Sequence, residues 1–308
     1  MKKFELQLER QEEKKPATIR LEIFRHDDKG ENTVADPNND IDKSIPLSEK
    51  GRIHASETGA SKNPHPEVAI AYGSSRNRTI ETAERQMFAN EDLVTEDLSL
   101  EEINALIKDN LSIGKKYKTT ELLDFSFGGN QEFREVANDH FKNKKDLLVW
   151  YFEESDKMAE ENKDKTSTPY SRLAGNVAEL ISKYSNGYSR WEKIVNDNPD
   201  KYSQFDNELQ RFMSTHQGVG ESFLMKVIDK TLGKNEVYNF INSLESKNGF
   251  KFGEGYSLVI GEIKDENNNY KKQILINYKG KQFAFDENVL QEIINDKKTL
   301  NKRLETKK

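Results

Sequence analysis

Between Thr18 and Phe24 the apolar residues Ile19, Leu21 and Ile23 alternate with Arg20 and Glu22, the period-two pattern of a strand, which ends at Arg25-His26. After a loop rich in Asn and Asp, Pro46-Leu47-Ser48 offers a helix start, and Leu47, Ala55, Gly59 and Ala60 fall near one face of a helix predicted over 48–60. Val68 to Tyr72 is a short apolar run between Pro66 and Gly73-Ser74-Ser75, as a buried strand leading into a loop would read. Ile80, Ala83, Met87 and Phe88 then recur at i, i+3, i+7 and i+8, one apolar stripe beneath a charged face. Strand, helix, strand, helix in that order favours an α/β sheet.

From about Glu91 to Asn207 the chain is Lys- and Glu-rich, offers no convincing strand and reads as a helical insertion. Leu147, Leu148, Trp150, Tyr151 and Phe152 are too concentrated for surface and are expected to dock it on the core. Leu173, Val177, Leu180, Ile181 and Tyr184 mark a helix over about 171–184. The strand-then-helix unit recurs with Leu209–Thr215, which leads into His216, and with the stripe Phe223, Leu224, Val227 and Ile228. Tyr256, Leu258 and Ile260 alternate, Asp265 to Asn269 supplies a turn, and Ile274, Ile276 and Tyr278 alternate again, predicting a hairpin. A closing helix runs through Val289, Leu290, Ile293 and Ile294. The expected organisation is a catalytic core over 1–90 and 208–308, with residues 91–207 inserted as a helical cap continuous with it.

Composition narrows the chemistry. The 308 residues carry 48 Lys+Arg against 54 Asp+Glu, a formal charge of -6, and the mean hydropathy is -0.92. That balance argues against a nucleic-acid binder, which needs a basic face to replace the counterions around phosphates. No apolar run approaches eighteen residues and the N-terminal residues are charged, so neither a membrane span nor export is expected, and the expected location is cytoplasmic. There is no cysteine, which removes thiolate nucleophiles and Cys-ligated metal sites and leaves His, Arg and carboxylates to do any chemistry.

His26 and His216 each follow a predicted strand. In open α/β sheets, residues at that position point into the crevice where ligands collect. Arg78 lies in the polar, cationic stretch Gly73-Ser74-Ser75-Arg76-Asn77-Arg78-Thr79, which leads into a helix N-terminus that itself favours an anion. Three strand ends thus converge on two imidazoles and at least two guanidiniums, Arg25 and Arg78, a setting suited to a phosphoryl group. His54, His65 and His140 read as surface residues. Asp36 to Asp42 fails as a calcium loop, because its sixth position is Ile41 and its twelfth Leu47.

These segments resemble the histidine phosphatase superfamily, the phosphoglycerate-mutase-like clan. The resemblance rests on Leu21 to His26 with Asn32 six residues after the histidine, on Pro46-Leu47-Ser48-Glu49-Lys50-Gly51-Arg52, on Ser74-Ser75 through Arg78 to Thr82-Ala83, and on Ser214-Thr215-His216. It implies a three-layer α/β/α fold around a mostly parallel central sheet, to which the pattern along the chain adds the helical insertion and the C-terminal hairpin. It also implies a phosphomonoester hydrolase with no metal and no other cofactor. His26 would be the nucleophile, and Arg25, Arg78 and His216 would surround the phosphoryl group. Asn32, Lys29, Arg76 and Gln217 are further candidates for substrate contacts.

A proton donor for the leaving oxygen is needed as well. Leu122 to Gly128 resembles the family's acid-bearing stretch, with Asp124 where Glu is usual, and Glu101 and Glu102 are rivals. Asp27 stands where the motif has Gly, and with Asp28 it would repel an anion if it pointed inward. The expected partner is a small phosphorylated substrate or a phosphoprotein. A phosphoglycerate mutase, or a non-catalytic binding protein that kept the fold, are the alternatives.

Overall fold

In the computed structural model, residues 15–31, 40–89, 98–99, 101–102, 105, 117–143, 146–246, 248–264 and 270–306 are described. Seven strands form one mixed sheet in the order β3-β2-β4-β1-β5-β6-β7, built from β1 (Thr18–Arg25), β2 (Ala69–Gly73), β3 (Tyr117–Thr119), β4 (Glu208–Thr215), β5 (Gly255–Lys264), β6 (Tyr270–Tyr278) and β7 (Lys281–Phe285). The first four run parallel, and β5 to β7 complete the sheet antiparallel.

The alternation along β1 sorts the core into two layers. Ile19, Leu21 and Ile23 pack on one face of the sheet with Leu173, Val177, Ile181, Phe223 and Leu224. Phe24, one residue out of phase, lies with Phe212, Ala69 and Ala71 against Ala83, Met87 and Phe88. The helices follow: α1 (Asp40–Ser44), α2 (Glu49–Ala60), α3 (Asn77–Met87), α4 (Gln131–Lys142), α5 (Leu147–Trp150), α6 (Asp156–Glu161), α7 (Tyr170–Asp197), α8 (Pro199–Ser203), α9 (Val219–Leu232), α10 (Lys234–Ser243) and α11 (Glu287–Thr306). A π-helical turn, Tyr151–Ser155, joins α5 to α6. Helices α2 and α3 cover one face, while α7, α9 and α11 cover the other. This is the expected three-layer α/β/α arrangement.

Four expectations need correction. The stretch 91–207 is not strand-free, because Tyr117–Thr119 pairs with Ala71–Gly73 at the sheet edge. Three residues are too few to show a period. The helix expected over 171–184 runs on to Asp197, burying Tyr188, Trp191 and Val195 on the same face. The C-terminal hairpin gains a third strand, β7, while its expected turn at 265–269 lies outside the described residues. Finally, the charged face of α3 is not solvated: Glu81, Glu84 and Arg85 are fully buried. Glu81 is tolerated there because it accepts hydrogen bonds from Arg52 Nε (2.8 Å), Arg85 Nε (3.3 Å) and the Leu47 N–H (2.8 Å).

Candidate active site

The parallel register of β1 with β4 builds the site. Pairing Arg25 with Thr215 leaves His26 and His216 side by side just past the strand ends, and the His26 N–H closes on the Thr215 carbonyl at 2.7 Å. The two rings meet edge to face with centroids 5.2 Å apart. β2 lies on the other side of β4, so Ser74, the residue after its end, reaches His216 Nε2 with Oγ at 2.8 Å. Gly73 is required at that turn: a Cβ there would lie 2.7 Å from the Ile80 backbone nitrogen, so only glycine lets α3 start so close to the strand.

The tautomer of His26 follows from its partners. Nδ1 lies 2.7 Å from the Asp27 carbonyl oxygen, which can only accept, so Nδ1 carries the hydrogen and Nε2 presents its lone pair. Arg78 Nε points at that lone pair from 3.3 Å. Burial, reinforced by the charges of Arg78 and Arg25, holds the His26 pKa well below the ordinary imidazole value, so the ring is neutral near pH 7. His216 is shifted down in the same way, by burial first and then by His26, Arg78 and Arg76. A neutral His26 with Nε2 exposed toward cations is chemically a nucleophile.

The cations are arranged in two tiers. Arg25 NH1 donates to the Phe250 carbonyl at 2.6 Å, and its guanidinium lies 4.2 Å from the Phe252 ring centre. Arg78 is tied to Asp42 through NH1 to the carbonyl (2.7 Å) and NH2 to the carboxylate (2.9 Å). Arg76 bridges two acids, with NH1 to Asp42 at 2.6 Å and Nε to Asp124 at 3.0 Å. Two polar atoms in this region, Arg25 Nε and His216 Nδ1, are buried with no hydrogen-bond partner among the described residues. Buried polar atoms rarely stay unpaired.

Of the three candidate acids, the fold brings Asp124 to the histidines. Its Oδ1 lies 3.4 Å from His216 Nε2, and its Oδ2 accepts from Ser75 Oγ at 2.8 Å. Glu101 and Glu102 are exposed, and Glu102 accepts from the Ser99 N–H at 2.7 Å. Asp27 directs its carboxylate to His54 Nδ1, 2.8 Å distant, and the Asp27 N–H is bound by Thr82 Oγ1 at 3.1 Å. Asp28 is held by the start of α2, its carbonyl taking the Ser48 N–H at 3.0 Å and its carboxylate the Ser48 hydroxyl at 3.1 Å. Ser48 in turn caps the helix at the Gly51 N–H, and Gly51 must be glycine because a Cβ would lie 2.1 Å from the Asp28 oxygen.

The remaining candidates divide. Lys29 Nζ reaches Asp42 at 3.0 Å, and Gln217 Nε2 donates to the Asn248 carbonyl at 2.6 Å. Asn32 lies outside the described residues. Sequence reasoning missed Asp42 and His54: the first sits in α1, a five-residue helix too short and polar to leave a periodic signal, and the second meets the site only through Asp27. His65 and His140, expected at the surface, are half-buried, against the rings of Phe205 and Trp150.

Two clefts flank these residues. One of about 640 Å³ is lined by Arg25, His54, Gln217, Lys251 and Phe252. The other, about 700 Å³, is lined by Arg76, Asp124, Ser126, Arg134 and Asn176. Among the described residues no group of three or more His, Cys, Asp or Glu is placed to hold a metal ion, and no helix is long and apolar enough to cross a membrane.

No family model and no curated protein matches the chain. Solved structures do. A mycobacterial glucosyl-3-phosphoglycerate phosphatase is similar at 13% identity and a TM-score of 0.41, over 83% of this chain and 97% of that one. A mycobacterial hydrolase is similar at 14% identity and a TM-score of 0.39, over 83% and 96%.

Proposed function

We propose that the protein is a histidine phosphatase, a metal-independent phosphomonoester hydrolase that works through a phosphohistidine on His26. The observation that carries this reading is the placement of the His26 ring, with Nδ1 held by the Asp27 carbonyl and Nε2 facing Arg78, set beside His216 with Asp124 next to it.

In the first step Nε2 attacks phosphorus, the bond to the leaving oxygen breaks, and Asp124 in its acid form protonates that oxygen. Arg25, Arg78 and His216 hold the equatorial oxygens, since phosphoryl transfer asks chiefly for position and charge. In the second step the Asp124 carboxylate takes a proton from water, water oxygen bonds to phosphorus, and the P–N bond breaks to release orthophosphate and neutral His26. The leaving group must lie on the Asp124 side of the phosphorus, so the cleft lined by Asp124, Arg134 and Asn176 receives the body of a small phosphorylated substrate or the side chain of a phosphoprotein. Within 91–207 the cap is then chiefly the part that borders this cleft, about residues 121–168, whereas β3 pairs into the sheet and α7 packs on the sheet while lending Asn176 to the cleft.

The test is a panel of phosphomonoesters with Asp124→Asn beside the wild type. Esters with poor leaving groups are expected to slow by about 10²- to 10⁴-fold, and nitrophenyl phosphate far less, because its leaving oxygen hardly needs a proton. Equal slowing of both removes Asp124 from the acid role, and a folded wild type inactive on every ester removes the hydrolase reading.

A further inference from the structure

One of the cations that the phosphatase reading assigns to the phosphoryl group, Arg78, already holds an anion, and it belongs to the chain itself. The Asp42 side chain is 3% exposed and is gripped by Arg76 NH1 at 2.6 Å, Arg78 NH2 at 2.9 Å and Lys29 Nζ at 3.0 Å. Burial alone would raise its carboxyl, but Arg78 and Lys29 override that and hold it below the ordinary carboxylate range. Arg78 thereby faces two ways: its Nε meets the nucleophilic nitrogen of His26, while the forked end of the same guanidinium grips Asp42. The forked end is the part of an arginine that takes two oxygens of an anion in parallel.

A phosphoryl group within reach of His26 Nε2 therefore competes with this carboxylate for Arg78, and two anions on one guanidinium repel each other. We propose that Asp42 is an internal competitor for the phosphoryl site, a side chain whose carboxylate occupies the place of a phosphoryl oxygen and must be displaced before an anion binds fully. It neutralises the site between turnovers and opposes the retention of orthophosphate, and so sets the affinity of the enzyme for substrate and product together. Its link to the catalytic cycle rests on the phosphatase reading; its competition with an anion does not.

The experiment compares wild type, Asp42→Asn and Asp42→Ala, each checked for a cooperative thermal transition, by calorimetric titration with orthophosphate and by turnover of a phosphomonoester. Asn keeps an acceptor for Arg76 and Arg78 and removes only the charge. Both variants are expected to bind orthophosphate about 10- to 100-fold more tightly than wild type, the scale of one charge-assisted interaction, and to show a lower KM. Unchanged or weaker phosphate binding in the folded variants overturns the inference and makes Asp42 a clamp that only orients the arginines. Failure of both variants to fold overturns it too, by making Asp42 structural. Turnover with unchanged phosphate affinity leaves the phosphatase and removes the competitor; tighter phosphate binding without any turnover does the reverse.

Discussion

Replacing His26 with alanine is expected to lower phosphomonoester turnover by on the order of 10⁴-fold or more, because the variant loses the atom that bonds to phosphorus. The fold should survive. The His26 backbone N–H still closes on Thr215, and the removed ring sits past the end of β1, outside both apolar layers that flank the sheet. Steady-state kinetics with a thermal melt checks both halves. A folded His26→Ala protein that keeps the wild-type rate, with contaminating phosphatase excluded, is incompatible with the mechanism.

Arg78→Ala has the second largest expected effect, a loss of about 10²- to 10³-fold in kcat/KM, the range seen when a preorganised donor to a developing charge is deleted. The structure separates it from its neighbour. Arg78 touches His26 at 3.3 Å, whereas Arg76 touches Asp124 at 3.0 Å. Arg78→Ala should therefore depress all esters alike and weaken inhibition by vanadate, while Arg76→Ala should act mainly on esters that need the acid. Kinetics on two esters of different leaving-group pKa, with vanadate inhibition for each variant, reads this out. A neutral Arg78→Ala beside a damaging Arg76→Ala would exchange their roles.

Much of the fold was legible where one face of an element is buried. Ile19, Leu21 and Ile23 announce β1 because the sheet buries alternate residues, and Leu173 to Tyr184 announce α7 because one stripe of it meets the sheet. The rest of α7 carried the same signal in Tyr188, Trp191 and Val195, spread among polar residues. β3 was hidden by its length, and the burial of Glu81 and Arg85 was hidden because a paired charge inside a protein looks, in sequence, like a charge at its surface.

The site follows the same division. His26, Arg78 and His216 could be placed from their positions after strands, but their meeting depends on which strands pair, a long-range fact with no local mark. The direction of Asp27 is set by His54, 27 residues away, and the occupation of Arg76 and Arg78 by Asp42. No spacing rule reports either.

The most direct test of a phosphohistidine on His26 is to trap it. Brief exposure to labelled phosphomonoester followed by denaturation should leave label on the peptide containing His26, stable in alkali and lost in acid, as a phosphoramidate of imidazole behaves and a phosphoserine ester does not. The label should be absent from His26→Ala. Diluted native protein should release it to water as orthophosphate at the rate of turnover, whereas transfer only to an added phosphorylated acceptor would mark a mutase. Stable label on His216 with none on His26, or turnover with no acid-labile label at all, would contradict the account.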